Sequence, residues 1–143
     1  MNSYVVGFAV TPDRKFLLVE KLRPKWQAGH LNGIGGKIEE EETPIAAMRR
    51  EASEEAGLGH LPWRRRGVIR GTNNDGQEFE CFVFCALSPS TFRYEQREDE
   101  PLGLYSLEDA LARPHIANLE CLLPFVLCSD GSPFMELTYG VKP

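Results

Sequence analysis

"GGKIEEEETPIAAMRREASEEAGL", Gly35 to Leu58, decides how this chain is read, and it carries seven glutamates: Glu39 to Glu42, Glu51, Glu54 and Glu55. Thr43 suits a helix N-cap, Pro44 the first helical position and Gly57 the residue just past the end. The stretch therefore predicts a helix over Pro44 to Ala56. Its buried stripe is expected at Ile45, Met48, Ala52 and Ala56. Residues three and four apart are neighbours on a helix, so Glu51, Glu54 and Glu55 put three carboxylates on one face. Like charges at that spacing repel, and in the last turn the helix dipole disfavours anions further. Two arrangements relieve this. One is a solvated, ion-paired face, with Arg50 reaching Glu54 four residues on. The other is a divalent cation held by the carboxylates. Oxygen ligands with no His or Cys nearby favour Mg²⁺ or Mn²⁺ over zinc, and the alternating Asp/Asn pattern of a calcium loop is absent.

Outward from this helix, Tyr4 to Val10 and Lys15 to Glu20 are strand-like runs joined by the turn "TPDR". The segment "KLRPKWQAGHLNGIGG" contains Pro24, Gly29, Gly33, Gly35 and Gly36, and is expected to be an ordered loop without regular structure. "WRRRGVIRG" and "EFECFVFCAL" form a second hairpin turning at Asp75-Gly76. In its second strand, Phe79, Cys81, Val83 and Cys85 share one face and Phe82, Phe84 and Ala86 the other, so both faces are expected to be buried. The polar loop "EQREDEP" precedes a short strand, Leu102 to Tyr105, and helices over Leu107 to Ala112 and Ala117 to Leu127. An edge strand is expected within "SPFMELTYG". Hairpins interleaved with a few helices give an α/β (α+β) sandwich around a central mixed sheet.

The 143 residues suit one domain, and 42% hydrophobic with 26% charged residues place the chain among globular proteins. A net charge of -5 argues against nonspecific binding to duplex nucleic acid or an anionic membrane. "MNSYVVGFAV" lacks a basic flank and a small-residue cleavage site, so it reads as a first strand and the expected location is cytoplasmic. Arg64, Arg65 and Arg66 read as one strand with alternating solvent-facing arginines in preference to a nucleic-acid patch. Cys81, Cys85, Cys121 and Cys128 form no CxxC pair and are expected to be reduced and mostly buried. Monomer and homodimer both remain open.

The spacing carries more than the charge. Gly36, five residues, Glu42, seven residues, then Arg50-Glu51-Ala52-Ser53-Glu54-Glu55-Ala56-Gly57-Leu58 resembles the Nudix box, G-x5-E-x7-R-E-U-x-E-E-x-G-U, where U is apolar. The resemblance implies a Nudix-type α/β/α sandwich and a metal-dependent hydrolase of a nucleoside diphosphate linked to another group. It makes Glu51, Glu54 and Glu55 metal ligands, with Gly36 offering a carbonyl and Glu39 joining the shell directly or through water. Glu42 and Arg50 would brace loop and helix as an ion pair. Metal ions neutralise a pyrophosphate and lower the pKa of the attacking water, and a carboxylate must then take the proton. That base comes from the box, as Glu51 or Glu55, or from the later loop, as Glu98, Asp99 or Glu100. Many members have Gly where this chain has Glu41, a departure that concerns loop shape.

The box says little about substrate. "WQAGHLNGIGGKIE" is similar to the corresponding loop of MutT-type enzymes, which remove oxidised purine nucleoside triphosphates from the nucleotide pool. That likeness implies a purine contact for Asn32, a base-lining role for Trp26 and a phosphate contact for Arg23; a loop-turn amide and ordinary packing are the plain alternatives for the first two. "IANLE" loosely resembles a stretch presenting a purine-reading Asn, which makes Asn118 a second candidate, against a simple N-cap. The signatures of ADP-ribose, dinucleoside polyphosphate, coenzyme A and NADH hydrolases are missing, and "NNDG" stands where the first two would lie. The expected partner is thus a small nucleotide, split to monophosphate and pyrophosphate.

Overall fold

A computed structural model describes residues 1–73, 75–128 and 134–139. In chain order the elements are β1 (Asn2–Val10), β2 (Phe16–Glu20), β3 (Leu31–Asn32), β4 (Ile34–Lys37), α1 (Pro44–Ala56), β5 (Arg64–Thr72), β6 (Glu78–Leu87), β7 (Leu102–Tyr105), α2 (Leu107–Ala112), α3 (Leu119–Leu127) and β8 (Met135–Thr138). Eight strands form one sheet in the order β3-β2-β1-β6-β5-β8, with β4 also on β1 and β7 on β2. The sheet is mixed: β1 runs parallel to β6 and β5 to β8, and the other pairs are antiparallel.

Both faces of the sheet are covered, as the two-sided pattern of β6 requires. On one face Ala47, Met48, Ala52 and Ala56 of α1 pack with Trp63, Phe82, Phe84 and Ala86. On the other, Leu119, Leu122, Leu123 and Val126 of α3 pack with Phe8, Phe16, Val83 and Cys85. This is the α/β/α sandwich expected from the sequence.

Several expectations need correction. Lys21 to Gly36 is not wholly irregular, because Leu31–Asn32 and Ile34–Lys37 are strands. Gly35 there answers to close approach: a Cβ on it would lie 2.0 Å from the Val5 carbonyl oxygen across the β1–β4 pair. The arginines of β5 do not all face solvent. The register shifts between Arg65 and Gly67, and Arg66 is buried, stacked on the Phe125 ring. A one-residue irregularity of this kind breaks simple alternation. Cys121 and Cys128 are exposed, so the thiols are free but only half of them lie inward. The last helix begins at Leu119, two residues later than expected. Ile45 is only partly buried, and Glu55 takes a buried position on α1.

Candidate active site

The α1 helix starts and stops as its sequence dictates. Thr43 accepts from the Ala46 amide at 3.2 Å, and Gly57 ends the helix at φ 71°. Just ahead of it Glu41 holds φ 65°, in the left-handed region that favours glycine, at the position where the resemblance to the box leads one to expect Gly.

Arg50 organises the acidic face. Its Nε and Nη2 donate to the two carboxylate oxygens of Glu42 at 2.7 and 3.0 Å. Nη1 donates to Glu51 at 2.8 Å and to Glu54 at 3.4 Å, and lies 3.8 Å from Glu39. Nη2 also reaches the Lys37 carbonyl at 3.1 Å, fastening the β4–α1 loop to the helix. The Arg50 guanidinium, with the Glu39 amide, holds the Glu42 carboxyl below its ordinary range, and Glu42 in turn raises the pKa of Arg50. The expected Arg50–Glu54 contact is thus the longest of the Arg50 hydrogen bonds in a larger cluster.

Glu55 differs from its neighbours. It is 6% exposed, and its Oε2 is buried with no hydrogen-bond partner. Burial, with the Glu51 carboxylate beside it, pushes the Glu55 carboxyl up to about 9. A buried carboxylate oxygen left unsatisfied is costly unless a proton or a cation joins it.

Three observations test the fit of a hard divalent cation. The donors are all oxygens, one of them is this orphaned Glu55 oxygen, and Gly36 leaves room over Glu51. A Cβ on Gly36 would sit 2.6 Å from Glu51 Oε1. The residues present therefore suit Mg²⁺ or Mn²⁺. Among the described residues no three His, Cys, Asp or Glu side chains are already drawn into coordination spacing; Arg50 instead bridges the carboxylates.

The loop after β6 docks on the end of α1. Glu95 N–H donates to the Ala56 carbonyl at 2.9 Å and Arg97 Nη1 to the Ser53 carbonyl at 3.0 Å, which satisfies backbone acceptors of the last turn. The acidic residues that follow separate into different environments. Asp99 forms two bonds to the Arg23 guanidinium, at 3.1 and 2.5 Å. Glu100 is buried and accepts from Lys21 Nζ at 2.9 Å, Leu22 N at 2.7 Å and Arg23 N at 3.3 Å. Burial alone would raise the Glu100 carboxyl, but Lys21 and these amides outweigh it and hold it low. Glu98 goes the other way: burial first, then the charges of Glu51 and Glu54, raise it. Of the three loop candidates it is therefore Glu98 that is raised by the helix carboxylates.

The candidates for base recognition lie on two adjoining backbones. Leu31 N–H donates to the Pro114 carbonyl at 2.9 Å and Ile116 N–H to the Leu31 carbonyl at 3.0 Å, so the approach to α3 runs beside β3. Asn32 Nδ2 donates to Gln27 at 3.0 Å, and its Oδ1 accepts from Gly33 N at 2.8 Å, the loop-turn arrangement. Asn118 stands at the N-cap position of α3 but makes no capping bond, and its Oδ1 is buried without a partner. Trp26 is 69% exposed, so ordinary packing does not describe it. The sequence reading missed Lys21, Gln96 and Arg97, whose only signal is a polar or positive side chain near an acidic run.

Comparison with known proteins agrees with this fold. A mutator MutT protein from Bacillus halodurans has the same fold, with a TM-score of 0.79 and 22% identity over 100% of this chain and 92% of that one. The NUDIX domain of Shewanella oneidensis NrtR, solved with ADP ribose, matches at TM-score 0.74 and 19% identity over 87% of this chain and 85% of that one. The E. coli dihydroneopterin triphosphate pyrophosphohydrolase matches at 0.71 and 14% over 89% and 96%. No curated protein sequence matches the chain. The NUDIX domain model matches residues 1–124. With that match spanning β1 to β7, α1 and the loop docked on it, the chain belongs to the Nudix family.

Proposed function

We propose that this chain is a metal-dependent pyrophosphohydrolase that splits a purine nucleoside triphosphate, an oxidised one included, to monophosphate and pyrophosphate. The observation that carries the proposal is the buried, unpartnered oxygen of Glu55 beside Glu51, on the helix face that Glu98 approaches. Glu51, Glu54 and Glu55 would hold Mg²⁺ or Mn²⁺ with the Gly36 carbonyl and Glu39. The cation supplies charge neutralisation at the phosphates and a more acidic water.

The chain's own residues do the rest. Arg50, braced by Glu42, keeps the glutamates and the β4–α1 loop in register. A carboxylate near the helix takes the proton of the attacking water. Glu98 suits this better than Asp99 or Glu100, because its proton affinity is raised while theirs is lowered. Glu55 is the box alternative, and in this reading it is occupied with the cation. Among the described residues no ion-pair partner takes up the Glu98 carboxylate.

Purine recognition is assigned to Asn32 and Asn118, with the exposed Trp26 as a stacking face and Arg23 as a phosphate contact. The unpartnered Asn118 oxygen supports this, since a buried amide oxygen invites a donor. The pairing of Leu31 with Pro114 and Ile116 supports it too, because it brings the two amides onto neighbouring segments. The chain is proposed to act as one domain, since β8 joins the same sheet as the residues before it. A cytoplasmic setting goes with a nucleotide substrate. Among the described residues no helix is long and apolar enough to cross a membrane.

A second reading, hydrolysis of another nucleoside diphosphate derivative such as ADP-ribose or a nucleotide sugar, is favoured by the shared fold of the NUDIX domain solved with ADP ribose. A noncatalytic binding module is disfavoured because every glutamate of the box is kept. The deciding assay presents dGTP, oxidised dGTP, ATP, ADP-ribose and UDP-glucose with Mg²⁺ and resolves the products. A purine triphosphate should be turned over fastest. Weak activity on every triphosphate rejects the proposal.

A further inference from the structure

We infer that Gln96 is a positioning residue for Glu98, acting by fixing the shape of the loop that carries it. The inference rests on the role given to Glu98 above. One side-chain amide makes three bonds within this loop: Gln96 Nε2 donates to the Glu98 carbonyl at 2.6 Å and to the Glu100 carbonyl at 2.7 Å, and its Oε1 accepts from the Leu102 amide at 2.8 Å. Donors and acceptor are thus all engaged, and no other side chain offers both groups at that span.

The clamp has fixed points on either side. Upstream, Glu95 and Arg97 are tied to the carbonyls of Ala56, Glu55 and Ser53 at the end of α1. Downstream, Asp99 and Glu100 are tied to Arg23, Lys21 and the Leu22 and Arg23 amides in the loop after β2. Between them only Glu98 is held by its backbone and not by its carboxylate. The amide of Gln96 closes the turn so that Glu98 follows directly on the Arg97–Glu55 bond at the end of α1, while the Glu100 carboxylate accepts from Lys21.

Gln96→Glu is the discriminating change, being the same shape but presenting an acceptor to two carbonyls. Gln96→Ala removes all three bonds without adding charge. In the metal-free protein, amide hydrogen exchange over residues 98–102 should quicken by about tenfold or more in both variants, with exchange in β1 and β6 unchanged. With Mg²⁺ and dGTP the variants should lose about tenfold in kcat with little change in KM. A double-mutant cycle with Glu98→Gln decides whether Gln96 acts through Glu98: in that background Gln96→Glu should cost less than about twofold in kcat.

Unchanged exchange in both variants overturns the inference, whatever the activity. Additive losses in the cycle also overturn it, because Gln96 would then act elsewhere. If Glu98→Gln alone turns over dGTP like the wild type, the role given to Glu98 has failed and this inference falls with it. That outcome is distinguishable because the single substitution reports it without any change at Gln96.

Discussion

Arg50 grips Glu42 with two donors, at 2.7 and 3.0 Å, across the first turns of α1, and the same guanidinium reaches Glu51 at 2.8 Å. A planar fork makes this two-sided contact and an ammonium does not. Arg50→Lys should therefore lower stability by about 1–3 kcal/mol, although charge is conserved. Chemical denaturation checks this. A cost near zero would mean the cluster is a solvated surface feature.

The Glu55 carboxyl, raised to about 9 by burial and by Glu51, predicts a proton released on metal binding. Without metal the folded chain keeps a proton that the unfolded chain loses near the ordinary value of 4.5. This group's contribution to stability is thus full below that value and declines as pH rises toward 9. A cation must displace the proton, so Mg²⁺ affinity should climb with pH over the same window, by up to about tenfold per unit. Calorimetry at pH 7 in two buffers of different ionisation enthalpy should show net proton release. Its absence would place Glu55 outside the metal shell.

Glu100 has the opposite sign. Its carboxyl is held low by Lys21 and two amides against the pull of burial, so its stabilisation is complete above the ordinary value of 4.5 and lost as pH falls through the lowered folded value. Glu100→Gln should cost about 1–3 kcal/mol at pH 7 and much less at pH 3. Urea melts at the two pH values measure this, and an equal cost at both would contradict the ion-pair account.

Glu41 at φ 65° is strained for a side-chain-bearing residue. Glu41→Gly should raise stability by about 0.5–1 kcal/mol, the left-handed penalty less the extra entropy of glycine in the unfolded chain. The thermal midpoint should rise by a few degrees, and destabilisation would show that the carboxylate matters more than the backbone.

These cases mark what the sequence makes legible. Thr43, Pro44 and Gly57 act within one turn of themselves, so α1 was readable to the residue, and the box spacing identified the acidic face. The short strands β3 and β4 were hidden because Gly35 serves a contact with Val5, distant in sequence, and looks like a loop residue in isolation. Arg66 is buried by an irregularity of the β5–β6 pairing that alternation does not foresee. The roles of Glu98 and Glu100 diverge only through Lys21, Arg23 and the end of α1. The run "EQREDEP" holds no trace of which acid faces which partner.

Glu54 tests the central claim most directly. It is half exposed, and among the described residues its one ion pair, to Arg50, is the longest of that side chain's hydrogen bonds to a carboxylate, at 3.4 Å. Glu54→Gln should therefore leave the melting temperature within a few degrees of the wild type. Turnover of dGTP at saturating Mg²⁺ should fall by about 10²–10³-fold, the scale on which removal of one transition-state-stabilising group is felt. A Glu54→Gln protein that hydrolyses dGTP at the wild-type rate, or a wild-type rate that is the same with and without Mg²⁺, would contradict the account.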